Sequence, residues 1–91
     1  MVGVMASYLV EAYTPAQAGL AEIEQRARNA ASHLSQAGTA VRYVRSIYVP
    51  EDEICFLLFD AASLDAVWQA SRDARLDAQR IVEAVGGESG D

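Results

Sequence analysis

Ninety-one residues, 52% of them hydrophobic, make one folded domain rather than two, with a thin core that gains from a partner. Seven basic against thirteen acidic side chains leave a formal net charge of -6. That balance excludes a surface built to neutralise nucleic-acid phosphates and disfavours adsorption to anionic membranes. All basic residues are arginine, which reflects a GC-rich genome more than a mechanism, and Cys55 is alone, so no disulfide forms within the chain. The opening MVGVMASYLV has no basic n-region and leads straight into a strand pattern; neither signal peptide nor membrane span is expected, and the expected location is cytoplasmic.

The first strand is expected over Ala6–Tyr13, where Tyr8, Val10 and Ala12 alternate with Leu9, Glu11 and Tyr13. Thr14-Pro15 punctuates it as a possible helix cap and first turn, with Gly19 blurring the helix start. From Leu20 onward, Leu20, Ile23, Ala27, Ala30, Ala31 and Leu34 recur every three or four residues, an amphipathic helix that Gly38 is placed to end. A second strand, Val41–Val49, carries Val41, Tyr43, Arg45 and Ile47 on one face and Arg42, Val44, Ser46 and Tyr48 on the other. Pro50 and the acids Glu51, Asp52 and Glu53 form the turn that follows.

The third strand, residues 54–60, is the most informative stretch of the chain. Ile54, Phe56 and Leu58 point one way and Cys55, Leu57 and Phe59 the other, so both faces are apolar and both need cover. Helices cover one face of such a sheet. A second copy of the chain is the simplest cover for the other.

Ser63 is a good N-cap for a second helix, with Asp65 in its first turn and Leu64, Val67, Trp68 and Ser71 as its buried stripe. Beyond Ala74, Ile81 and Val82 favour a short fourth strand over residues 81–85 rather than more helix. Residues 86–91 read as a disordered polar tail. The expected architecture is therefore α+β: a ferredoxin-like βαββαβ domain over residues 6–85, with two helices on one face of a four-stranded antiparallel sheet that dimerises through the other.

The segments Tyr8-Leu9-Val10-Glu11, VRYVRS with its Ser46, PEDEICFLLFDAAS and Gln79-Arg80-Ile81 resemble a family of small ferredoxin-like domains of unknown function. One branch of that family is described as nickel-binding. The resemblance spans about residues 6–85 and implies the same fold and fourth strand. The nickel-type members carry histidines at the places of Arg45 and Ala70, and a Gly and a Pro where this chain has Arg75 and Asp77. This departure removes the expected imidazoles, so no metal ligand and no cofactor is assigned, and nickel binding is expected to be weak or absent.

His33 reads as a lone surface histidine. Cys55, in apolar surroundings, reads as an inert core thiol. Glu11 differs, because a carboxylate midway along a central strand needs a partner. Glu11, Tyr13, Tyr43 and Arg45 are the candidate ligand-binding residues, lining a cavity on the open sheet face, with a Glu11–Arg45 ion pair as the plainer reading. The expected role is a non-catalytic binding or accessory protein for a small ligand or metal, working as a homodimer or higher homo-oligomer. The alternative is a cofactor-free enzyme of the dimeric α/β-barrel type, oxygenase or cyclase, acting on a small apolar substrate.

Overall fold

A computed structural model describes residues 5–86. The chain runs β1 (Ala6–Tyr13), a 3₁₀ turn (Ala16–Ala18), α1 (Leu20–Gln36), β2 (Val41–Val49), β3 (Ile54–Ala61), α2 (Leu64–Asp73) and β4 (Asp77–Ala84). This is the ferredoxin-like order, and the strands form one open antiparallel sheet in the order β2-β3-β1-β4. β1 and β3 are central, so Glu11 does lie mid-way along a central strand. Among the described residues the sheet closes no barrel.

Periodicity explains most of the packing. Val10 and Ala12 on β1, Cys55, Leu57 and Phe59 on β3, and Val41 and Ile81 on the edge strands are buried against the helices. The helices answer with Ile23, Ala27, Ala31 and Leu34 from α1 and Ala66, Val67 and Ala70 from α2. The many alanines let the helix backbones approach the sheet closely while keeping helix propensity high. Phe59 is fully buried and meets the Tyr43 ring edge-on, with centroids 5.7 Å apart.

Local chemistry sets the ends. Ser63 Oγ accepts from the Ala66 N–H at 3.2 Å, capping α2. Thr14 does not cap α1; its hydroxyl donates to the Ala12 carbonyl at 3.3 Å, and Gly19 occupies the cap position without a side-chain bond. Gly38, at φ 101°, closes α1, with the Thr39 N–H on the Leu34 carbonyl at 2.8 Å. Leu64, expected in the buried stripe, is 42% exposed, and Ala66 and Ala70 take its place on the core side.

β4 begins at Asp77, four residues earlier than the expected residues 81–85. Its polar opening, Asp77, Gln79 and Arg80, hides the strand pattern because a bulge falls there. Arg80 pairs with Glu11 and Ala78 with Ala12, leaving Gln79 as the extra residue. The expected disordered tail lies, from residue 87 onward, outside the described residues. Among the described residues, no helix is long and apolar enough to cross a membrane.

Candidate functional site

The face of the sheet away from the helices carries Leu9 and Glu11 from β1, Ile47 and Val49 from β2, Ile54, Phe56 and Leu58 from β3, and Arg80 and Val82 from β4. Nothing in the described chain covers it. Its apolar side chains shelter one another only in part, and Ile47 is 59% exposed.

Of the four residues the sequence singles out, three reach this face. Glu11 sits near its centre, opposite Phe56 on one side and Arg80 on the other. Its ion partner is Arg80, with Nη1 3.9 Å from Oε2, and not Arg45. Within one chain Glu11 and Arg45 do not meet, because β3 lies between β1 and β2. Arg45 stands opposite Leu58, out on the edge strand and exposed.

Tyr13 lies at one end of the face and is exposed. Its hydroxyl donates to Glu53 Oε1 at 3.3 Å, and the negative charge of Glu53 pushes the Tyr13 pKa up. Glu53 is itself in the left-handed region, at φ 54°, at the close of the β2–β3 turn. Its backbone carbonyl accepts from the Thr14 N–H at 2.7 Å and its Oε2 from the Ala16 N–H at 3.2 Å. The acidic turn thus ties the hairpin to the exit of β1.

Tyr43 is on the other side of the sheet. A bulge in β2 takes up Val44: Tyr43 pairs with Phe59 and Arg45 with Leu58, the next residue along β3. Simple alternation puts Tyr43 and Arg45 on one face; the extra residue sends Tyr43 inward with Val41 and turns Arg45 outward, while Ser46 and Tyr48 become inward-facing.

The inward residues form a polar cluster that the sequence reading missed. Glu24 of α1 accepts from the Ser46 hydroxyl and, at 3.2 Å, from the Tyr43 hydroxyl, which lies 3.1 Å from Ser46 Oγ. Burial pushes the Tyr43 pKa up. It likewise pushes up the Cys55 thiol, with the Glu24 charge adding to the rise, so the thiol stays protonated. A signal for Glu24 was present: it stands four residues after Leu20 and three before Ala27, on the sheet-facing side of the helix.

At the opposite end of the open face from Tyr13, Asp60 accepts from Arg42 Nη2 at 2.6 Å and from Ser7 Oγ at 2.8 Å. The Arg42 hydrogen bond holds its carboxyl below the usual range. Grooves on the described surface are open to ligands. One, of about 370 Å³, runs between α1 and the edge strand β2, beside Tyr43. Another, of about 280 Å³, lies where β1 leaves the sheet and β4 enters it, between Arg26, Arg75 and Leu76.

Among the described residues, no three His, Cys, Asp or Glu side chains are grouped to hold a metal ion. Arg45 is on the open face while Ala70 is fully buried on the helix side, so these two positions do not share a site within one chain. Comparison with known proteins returns no matching family model, no similar curated protein and no similar solved structure.

Proposed function

We propose that this chain is a non-catalytic binding or accessory module for a small ligand that works as a homodimer, with the open sheet faces of two copies packed together. The uncovered apolar face carries the proposal. Four strands about 4.8 Å apart and eight residues long at about 3.3 Å each give it a footprint of about 500 Å². A side-chain-covered surface exceeds its footprint, so two such faces bury more than about 1,000 Å², within reach of specific interfaces. The same arithmetic supports a second copy as the occupant, because a flat face of this size fits another flat face of the same size.

Glu11 and Arg80 qualify the purely structural reading. An apolar seam would be better served by Leu or Val at both positions, since burying an ion pair in an interface carries a desolvation cost that its attraction barely repays. Their presence supports a polar point in the seam that a small ligand can use. The non-catalytic half of the reading rests on the chemistry present: the buried thiol of Cys55 is held protonated, and the Tyr43 and Ser46 hydroxyls are spent on the Glu24 carboxylate.

Light scattering at about 20 μM is the test. A dimer is expected for the wild type and a folded monomer for Phe56→Glu, which places a charge at the middle of the face opposite Glu11. A monomeric wild type overturns the proposal.

A further inference from the structure

We infer that the groove between α1 and β2 is a binding site for a small aromatic carboxylate, with Arg28 as the residue that receives the carboxylate. This rests on the ligand-binding half of the proposed function and is independent of sheet pairing, since the groove lies on the helix side of the edge strand. Its failure would leave the homodimer standing, and a monomeric protein would leave this site intact.

The groove has a volume of about 370 Å³ and its floor is apolar, made by Ala31, Val41 and the Tyr43 ring. Pockets for small organic ligands start at about 300 Å³ and combine apolar walls with a few aimed polar groups. This volume suits a body of one or two rings.

The floor is preformed. Ser35 Oγ donates to the Val41 carbonyl at 2.6 Å and accepts from the Val41 N–H at 3.3 Å, so the start of β2 is pinned to α1 on both backbone groups. Tyr43 is fixed by Glu24 on one side and Phe59 on another. A ligand entering here does not have to order its own site.

Arg28 supplies the charge. Its guanidinium carbon lies 5.3 Å from the Tyr43 ring centroid, a stacked position that holds the fork beside the floor. Among the described residues, no carboxylate lies within ion-pair distance of it, although the chain has an excess of acids. The other arginine on this groove, Arg42, is committed to Asp60 at 2.6 Å. One free guanidinium over an apolar floor matches one delocalised negative charge on a flat apolar body. The planar fork takes a carboxylate through two parallel hydrogen bonds. A phosphate dianion has no apolar body to cover the floor, and a neutral ring leaves the guanidinium unanswered.

The test uses the full chain labelled with ¹⁵N and titrated with 2-naphthoate, 2-naphthalenemethanol or inorganic phosphate. With 2-naphthoate, saturable amide shifts are expected at Ala31, Ser32, Val41 and Tyr43, with a Kd below about 1 mM. Arg28→Gln is expected to weaken binding about tenfold or more, and the alcohol to bind about tenfold more weakly than the acid. Arg28→Lys keeps the charge and the stem over Tyr43 but loses the fork, and its affinity is expected to fall between wild type and Gln. Arg28 is exposed, so neither variant removes a core contact. Absence of saturation up to about 5 mM, unchanged affinity in Arg28→Gln, equal binding of the alcohol, the same shifts with phosphate alone, or shifts at Leu9, Phe56 and Leu58 instead would each overturn the assignment.

Discussion

Tyr43 and Arg45 stand two residues apart on β2 and face opposite sides of the sheet, because the bulge between them takes up Val44. The two side chains therefore do different work. Tyr43 is half-buried and bonded to Glu24, whereas Arg45 is exposed at an edge. Tyr43→Phe keeps the ring and removes the hydroxyl, so it is expected to cost about 1 to 2 kcal/mol, one hydrogen bond to a charged group. Arg45→Ala is expected to change stability by less than about 0.5 kcal/mol, as at other surface positions away from special contacts. Urea unfolding of the two variants checks the contrast; equal losses would mean that both residues share the open face.

Asp60 gives the fold an acid-sensitive contact. Its carboxylate is bonded to Arg42 and to Ser7, and the Arg42 bond holds its folded-state pKa below the ordinary value of 3.8. A group depressed in the folded state contributes stability that is fully present above its unfolded pKa, about 3.9, and fades as pH falls toward the lower folded value. Asp60→Asn is expected to lower the melting temperature at pH 7 and to shrink that difference below about pH 4, where the wild type also loses its charge. Melts from pH 7 to pH 3 supply the comparison. A constant difference across that range would show that Asp60 acts through shape and not through charge.

How far the chain could be read follows from what each signal encodes. The alternation of Val10 and Ala12 with Leu9 and Glu11, the helical spacing of Ile23, Ala27, Ala31 and Leu34, and the Ser63 cap each report a local geometry, and each element formed where they placed it. Alternation also separates the two faces of β3 correctly: Cys55, Leu57 and Phe59 inward, Ile54, Phe56 and Leu58 outward. It fails where a residue is inserted without a mark. Neither Val44 nor Gln79 is a glycine, so nothing at either bulge announces that the faces exchange. Pairing across the sheet is the other hidden quantity. Facing sides of adjacent strands or of a dimer seam suggest Arg45 for Glu11, but within the chain strand order interposes β3 and supplies Arg80, which sits just ahead of the strand expected at residues 81–85.

Glu11→Gln is the variant that separates a structural role from a binding role on the open face. The pair with Arg80 is long, at 3.9 Å, and the arginine side chain is 64% exposed, so solvent screens most of its attraction. The expected loss in a monomeric background such as Phe56→Glu is below about 0.5 kcal/mol. In the wild-type dimer the same change is expected to act on association, because the seam takes the pair out of water. Dilution series by light scattering, read beside thermal melts of both backgrounds, separate the two effects. A large loss of stability in the monomeric background would make the pair a structural brace.

Arg75 and Glu53 both hold left-handed backbone, at φ 59° and φ 54°, and only one of them uses its side chain to justify it. Arg75 ends α2 as Gly38 ends α1: the Leu76 N–H bonds to the Ser71 carbonyl at 2.9 Å and the Arg75 N–H to the Arg72 carbonyl at 3.0 Å. No ion pair of Arg75 is present among the described residues. A residue with a Cβ in this conformation costs about 1 to 2 kcal/mol, and glycine gives back part of that advantage, about 0.4 to 1 kcal/mol, by loosening the unfolded chain. Arg75→Gly is therefore expected to stabilise the protein by roughly 0.5 to 1 kcal/mol. Glu53→Gly relieves a similar backbone but removes the acceptor for the Tyr13 hydroxyl and for the Ala16 N–H. Those losses leave the backbone bond from the Thr14 N–H to the residue 53 carbonyl as the remaining Glu53 tie between the β2–β3 turn and the exit of β1, so Glu53→Gly is expected to lower the melting temperature while Arg75→Gly raises it. Opposite signs in paired thermal melts are the expected result; a destabilised Arg75→Gly would reveal a contact of the arginine side chain that stability depends on.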